Sequence, residues 1–153
     1  MQTNLSITYE RLGRLEEAMR MKRDVYSGWL RLHGEESAES LTAAANYAAA
    51  LQLSLRIEEA KSLLRKTMPV ARRARGESHI ITLRMRIIYA CALYEPDDAT
   101  LVDLREAVTT LEETERIARR VLGGEHPLAT TIDIALQNAR AALRARETPS
   151  TSN

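Results

Sequence analysis

The stretch GRLEEAMRM at residues 13–21 returns 42 residues later as LRIEEAKSL at residues 55–63. A third copy, with Gly123 in the place of Gly76, follows once about five residues are inserted around EPDDAT at 95–100. A single small unit cannot bury both of its apolar faces by itself. A chain that repeats in this way therefore stacks its units around one elongated core.

Apolar residues at helical spacing fill the segments between the expected turns. Leu41, Ala44 and Ala48 recur at steps of three and four residues, and no segment shows the period of two that is typical of a half-buried strand. Pro69 lies inside a helical pattern and predicts a kink or a local break near Met68. The sequence thus predicts an all-α chain of seven helices, near residues 2–12, 15–33, 37–54, 57–75, 79–94, 100–122 and 127–146.

The charge balance gives no reason to expect a highly charged partner. The 22 basic and 21 acidic residues leave a formal net charge of +1, so we expect neither nucleic acid nor a membrane surface as a partner. The N-terminus has no signal-peptide pattern, and no apolar run is long enough to span a bilayer. With Cys91 as the single cysteine, no internal disulfide forms. We therefore expect a cytoplasmic protein.

Five segments resemble the tetratricopeptide repeat of the kinesin-light-chain type, whose repeat is about 42 residues long. They are NLSITYERLGRLEEAM (4–19), LHGEESAESL (32–41), NYAAALQLSLRIEEAK (46–61), ARGESHIITL (74–83) and VLGGEHPLAT (121–130). The third unit departs from the pattern, because it has Ile88 where the first two units have an asparagine. It also carries EPDDATLVDLREA in place of a tight turn.

The resemblance implies a right-handed solenoid of helical hairpins with about three and a half repeats. The predicted repeat domain covers residues 1–147, and a disordered tail follows at 148–153. The units lie at about 1–34, 35–76 and 77–123, with a final helix at 124–147. In each unit the small residue at the position of Ala18, Ala60 and Ala107 is expected to let the two helices approach closely. Gly34, Gly76 and Gly123 are expected to end helices in a left-handed conformation.

No pattern of catalytic or metal-binding residues is present in the sequence. His79 and His126 recur at the same repeat position beside a helix start, where a capping or packing role is expected, and His33 is the remaining histidine. Zinc needs three or four ligands that converge on one point, whereas these histidines lie one repeat apart. Cys91 is expected to be a buried, unreactive thiol. We predict no catalytic residues, no metal, no cofactor and no enzymatic activity.

The resemblance implies a concave groove that receives an extended peptide or a partner helix. Asparagine amides in such a groove both donate and accept hydrogen bonds, so they can bind a peptide main chain of any sequence. The alternative is that Asn4 and Asn46 only satisfy neighbouring backbone groups. By repeat position the predicted groove residues are Asn4, Thr42, Ala45, Asn46, Ala49, Gln52, Arg84, Ile87, Ile88, Tyr94, Thr131 and Asn138.

A protein-interaction scaffold is therefore the predicted function, with a protein or peptide as partner. The alternative is a structural or oligomerising repeat segment that has no ligand of its own. The array begins part-way through a hairpin and has no polar cap at that end. We expect either a piece of a longer repeat protein, or copies that meet end to end through Leu5, Tyr9 and Leu12.

Overall fold

The structure is a computed structural model that describes residues 4–148, with side chains described from residue 11 onward. It contains six α-helices: α1 (Asn4–His33), α2 (Ala38–Leu53), α3 (Ile57–Arg75), α4 (Ile80–Tyr94), α5 (Leu101–Leu122) and α6 (Pro127–Glu147). The described residues include no β-strand. The all-α prediction is confirmed, whereas the predicted tail falls almost entirely outside the described residues.

The first helix corrects the prediction of seven helices. The predicted helices at 2–12 and 15–33 are one continuous helix of 30 residues, α1. Gly13 lies inside α1 and does not take up the positive φ seen at Gly34, Gly76 and Gly123. One glycine in a helix costs about 1 kcal/mol, which weakens the helix without ending it. No proline stands beside Gly13 to stop the helix.

Helix α3 continues through Pro69, so the local break expected near Met68 does not form. Proline removes one backbone donor from the helix. Pro69 lies on the exposed side of α3, where solvent can satisfy the carbonyl that loses this donor. Two residues before Pro69, the Thr67 hydroxyl donates to the Leu63 carbonyl at 2.9 Å.

The helix ends repeat as the sequence predicts. Gly34, Gly76 and Gly123 have φ of 78°, 96° and 84°, the left-handed region that glycine enters without a steric penalty. Three residues further along each repeat, His79 and His126 begin α4 and α6. Their Nδ1 atoms accept hydrogen bonds from the backbone amides of Ile81 and Leu128, at 3.1 and 3.0 Å. The predicted capping role of both histidines is confirmed.

The described chain divides into two compact units between Ala74 and Arg75. In the first unit α1 packs against α2. Met19 of α1, Leu51 of α2 and Ala60 of α3 form a buried cluster, and Tyr47 and Leu63 pack on it. The short side chain at Ala60, which is completely buried, lets these helices approach closely.

In the second unit α4, α5 and α6 pack against one another. The largest fully buried side chains there are Leu83, Met85, Leu93, Leu104, Leu111, Thr82, Thr114 and Ile132. One charged side chain joins them: Arg86 of α4, which is only 7% exposed. Its Nη2 lies 3.5 Å from carboxylate oxygens of both Glu77 and Glu113.

Candidate functional site

One row of residues occupies the same repeat positions on three helices. On α3 it consists of Ile57, Ala60, Leu64, Thr67 and Ala71, and on α5 of Leu104, Ala107, Leu111, Thr114 and Ala118. All five positions are buried on α5, and four of the five are buried on α3. The α5 row is buried because α5 packs against both α4 and α6. This row is therefore the face that neighbouring helices normally cover.

On α1 the same row is open. Its members are Leu15, Ala18, Lys22, Val25 and Trp29. Val25 is 50% exposed, Ala18 and Lys22 are exposed, and Leu15 and Trp29 are half-buried. The helix that would cover this row in a complete hairpin is the N-terminal part of α1, which runs straight on instead of turning back. A row that is apolar except for Lys22 thus remains accessible beside α2.

The open row and the facing side of α2 enclose two depressions that share Asn46, and we call the whole the α1–α2 groove. The Trp29 depression, of about 340 Å³, is lined by Val25, Trp29, Ala38, Glu39, Thr42, Ala43 and Asn46. The Leu15 depression, of about 250 Å³, is lined by Leu15, Ala18, Lys22, Asn46, Ala49, Ala50 and Leu53. Both depressions are open to solvent, the Trp29 depression more than the Leu15 depression, whereas a small-molecule pocket generally encloses its ligand.

The groove combines apolar walls with few polar groups. Leu53 and Val25 are 66% and 50% exposed, so a bound segment would remove apolar surface of both side chains from water. Asn46 lies where the two depressions meet, and its side-chain amide can both donate and accept hydrogen bonds. Lys22 lies in the Leu15 depression and Glu39 in the Trp29 depression, which places opposite charges toward opposite ends.

The structure brings three of the predicted groove residues of the first unit together. Thr42 lines the Trp29 depression, Ala49 the Leu15 depression, and Asn46 both. Ala45 is fully buried, so it presents no surface to a ligand. Gln52 is half-buried and lines neither depression. Asn4 begins α1, and its side chain lies outside the described residues.

The remaining predicted residues lie in the second unit. Arg84, Ile88 and Tyr94 are half-buried on α4, and Thr131 and Asn138 are exposed on α6. Ile87 is only 7% exposed and belongs to the core, because neighbouring helices pack on α4. The Tyr94 hydroxyl and the Asn138 side chain form a hydrogen bond that links α4 to α6.

Cys91 lies next to this link, with its Sγ 3.9 Å from the Tyr94 hydroxyl. Burial, reinforced by the charge of Glu95, raises the pKa of the Cys91 thiol to about 11. Burial, and then the neighbouring Cys91, also raises the pKa of Tyr94. At neutral pH the thiol is protonated and a poor nucleophile. In the described part of the chain no three histidine, cysteine or acidic side chains come together to hold a metal ion.

Sequence reasoning missed the α1 side of the groove. The residues from Leu15 to Trp29 carry a helical row that is visible in the sequence, and Trp29 is the only tryptophan of the chain. Of this row, the sequence predicts a packing role only for Ala18, and Ala18 is exposed instead. The signal that distinguishes the α1 row is Lys22, a charged residue where α3 and α5 have leucine.

The sequence profile described as Tetratricopeptide repeat matches residues 1–39. The match takes in α1, the turn at Gly34 and the start of α2. No curated protein matches the chain. None of the helices in the described residues has both the length and the apolar character needed to cross a bilayer.

Proposed function

We propose that this chain, whose residues 1–39 match the tetratricopeptide repeat profile, is a protein-interaction scaffold that takes up a segment of a partner in the α1–α2 groove. One observation carries the proposal. The row that is buried on α5 is exposed or half-buried on α1, although it occupies the same repeat positions. A helix laid along this row would restore the packing that the other repeats already have.

The chemistry of the groove favours an amphipathic partner helix. Apolar side chains at helical spacing would bury against Val25, Trp29 and Leu53. The Asn46 amide can satisfy a polar group of the partner at the middle of the groove. Lys22 favours an acidic residue at one end of the partner segment, and Glu39 a basic residue at the other. The groove thus suits a segment with little net charge.

The second unit offers a further surface for the same kind of partner. The proposed contact area consists of Arg84, Ile88 and Tyr94 on α4 and of Thr131 and Asn138 on α6. The observation that favours it is Ile134, a large apolar side chain that is 55% exposed on α6. We also propose the kinesin-light-chain type of repeat and a solenoid arrangement, which the 42-residue spacing supports. We propose a cytoplasmic location because a single cysteine fits a reducing compartment.

The test uses Trp29, whose emission reports on the groove because the chain has no other tryptophan. The probe is a peptide with the sequence of α2, Ala38–Leu53, since α2 packs with Ala60 of the α3 row in the native chain. A scrambled peptide is the control. We expect the native peptide to shift Trp29 emission to shorter wavelength in a saturable way, because it removes the indole from water.

Variants of the protein connect this response to the groove. Val25→Glu is expected to weaken peptide binding at least about tenfold, because it places a carboxylate against an apolar segment. Met21→Glu is the matched control, since Met21 is 63% exposed on the same helix and lines neither depression. No emission change with the native peptide, or equal effects of both variants, would contradict the assignment of the groove.

The competing role is a structural segment whose copies associate. Leu12 favours it, because this large apolar residue of α1 is 46% exposed, whereas the side chains of Leu5 and Tyr9 lie outside the described residues. Light scattering over a concentration series separates the two roles. A dimer that is lost in Leu12→Glu supports association, and a monomer at every concentration refutes it.

A further inference from the structure

The turn between α2 and α3 contains a strained leucine. Leu55 has a φ of 62°, and in the part of the chain that the structure describes it is the one residue other than glycine with a positive φ. The Leu55 amide donates to the Gln52 carbonyl at 3.1 Å. The Arg56 amide donates to the Leu51 carbonyl at 2.9 Å and closes the turn. Such a turn needs a left-handed residue, which glycine supplies without strain and leucine does not.

Burial does not compensate for the strain at Leu55. The residue is 80% exposed, more than any other large apolar residue whose side chain the structure describes. A leucine stabilises a fold chiefly by leaving water, and this one stays in it. The turn therefore explains the backbone conformation of residue 55 but not its leucine side chain. A strained residue that contributes little packing points to a role in binding.

Leu55 lies at one end of the α1–α2 groove. The hydroxyl of the preceding residue, Ser54, donates to the Leu15 carbonyl at 3.5 Å, which fixes the turn against α1. Leu53 lines the Leu15 depression and is 66% exposed. The Cα atoms of Leu53 and Leu55 are at most about 7 Å apart. Two exposed leucines thus lie together where the Leu15 depression ends.

From this placement we propose that Leu55 extends the α1–α2 groove beyond the Leu15 depression and anchors one end of the bound partner helix. The partner helix carries an additional apolar residue at that end, which contacts Leu53 and Leu55. Lys22 is the charged residue of the Leu15 depression, so an acidic residue stands in the preceding turns of the partner. The anchor role rests on the proposed function, because it concerns the same groove. It selects partners whose apolar face is long enough to reach Leu55.

The Ala38–Leu53 peptide has an apolar residue at the required end. In the native chain α2 runs antiparallel to α3, because a short turn joins the two helices. The last residue of α2 therefore comes close to Ile57 at the start of α3. Leu15 occupies the repeat position of Ile57 on α1. A peptide that binds α1 in the same way brings its terminal leucine to Leu15 and Leu55.

Substitutions of Leu55 separate binding from stability. Leu55→Asn keeps a residue that tolerates a positive φ and replaces the apolar side chain with a polar one. It is expected to weaken peptide binding, measured by Trp29 emission, about fivefold. The midpoint of its urea unfolding is expected to stay the same or rise, whereas a fall would mean that Leu55 serves the fold and would overturn the proposal. Leu55→Met keeps an apolar side chain and is expected to bind within about twofold of the wild type.

Val102→Asn is the matched control for the loss of an exposed apolar side chain. Val102 is 71% exposed in the second unit, away from the groove, so the substitution is expected to leave the affinity for the peptide unchanged. A loss equal to that of Leu55→Asn would overturn the anchor role, because the effect would then not depend on the position of the leucine.

A double-mutant cycle tests the contact between the two leucines. Leu53→Ala in the peptide is expected to weaken binding to the wild-type chain about fivefold, but binding to Leu55→Asn by less than about twofold. Equal losses with both proteins would overturn the proposal. Peptide binding that Val25→Glu weakens and Leu55→Asn leaves intact would retain the proposed function and refute the anchor. A wild-type chain that binds no peptide would refute both.

Discussion

Arg86 of α4 and Glu113 of α5 form an ion pair that is buried on one side only. The Arg86 side chain is 8% exposed and that of Glu113 is 46% exposed, with Nη2 and Oε2 3.5 Å apart. Oε2 of Glu77 lies at the same distance from the same Nη2. Nε and Nη1 of Arg86 have no hydrogen-bond partner among the described residues. The guanidinium is thus held by two carboxylates on one nitrogen.

We expect the two carboxylates to compensate for each other. Glu77→Gln or Glu113→Gln alone leaves Arg86 one charged partner and should lower the free energy of unfolding by about 1 kcal/mol. The double variant leaves a buried charge without a counterion and should cost about 3 kcal/mol, more than the sum of the single changes. Urea unfolding of the three variants measures this coupling, and strictly additive losses would contradict it.

Arg86→Met tests the same arrangement from the other side. It removes the buried charge and keeps an apolar side chain of similar length, so its stability is expected to lie within about 1 kcal/mol of the wild type. If this variant is as unstable as the double glutamine variant, the guanidinium contributes through its hydrogen bonds and not through its charge balance.

Leu55→Gly is expected to stabilise the protein. Leu55 has a φ of 62° and is 80% exposed, so the glycine relieves strain and loses little packing. The expected gain in the free energy of unfolding is about 0.5 to 1 kcal/mol, less than the full strain because glycine loses more entropy on folding. Leu53→Gly is the control. It removes a similarly exposed leucine at the last residue of α2, where φ is not positive, so it relieves no strain and should give no gain in the free energy of unfolding.

The repeat explains why much of this fold could be predicted. Glycines at 34, 76 and 123 and cap residues at 37, 79 and 126 recur together, and each has a local physical role that depends little on distant residues. The helix ends therefore follow from the sequence. The breaks expected at Gly13 and Pro69 do not form, because a single unfavourable residue weakens a helix by less than the neighbouring turns stabilise it.

The groove was harder to predict for the same reason. A repeat pattern assigns equal roles to equal positions, so it gives Ala18 the packing role of Ala60 and Ala107, which are buried, although Ala18 is exposed. Whether a position is covered depends on the neighbouring helix, and the pattern contains no such information. The buried Arg86 was missed in a similar way, since its environment is made by Glu77 and Glu113.

Replacing the histidine caps with alanine is expected to lower the stability of the protein, and serine at the same position is expected to retain part of it. His79→Ala and His126→Ala each remove the acceptor for a backbone amide at a helix start and should cost about 1 kcal/mol. Serine fills the same repeat position at residue 37, where its hydroxyl accepts from the Ser40 amide at 3.1 Å. His79→Ser is therefore expected to lose less than half as much as His79→Ala in thermal unfolding. Equal losses would indicate that the imidazole contributes by packing.

The Cys91 thiol is expected to react slowly in the folded chain. With its pKa raised to about 11 by burial, the thiol holds roughly 100-fold less thiolate near pH 8 than an ordinary cysteine, whose pKa is 9.0. Alkylation by iodoacetamide should be slow at pH 8 and accelerate toward pH 11. In urea, where the same thiol is unfolded, it should titrate near its ordinary value. Equal alkylation rates in the folded and unfolded chains would contradict the burial.

The raised pKa of Cys91 also predicts how the free energy of unfolding depends on pH. Between about pH 9 and 11 the unfolded chain releases the Cys91 proton while the folded chain retains it, so the free energy of unfolding falls as the pH rises. Below pH 9 both states are protonated and this group contributes no slope. Cys91→Ser should remove this loss and leave the one caused by Tyr94, whose pKa is also raised. Unfolding curves at pH 8, 9.5 and 11 decide the matter, since an unchanged slope in Cys91→Ser would assign the entire loss to other groups.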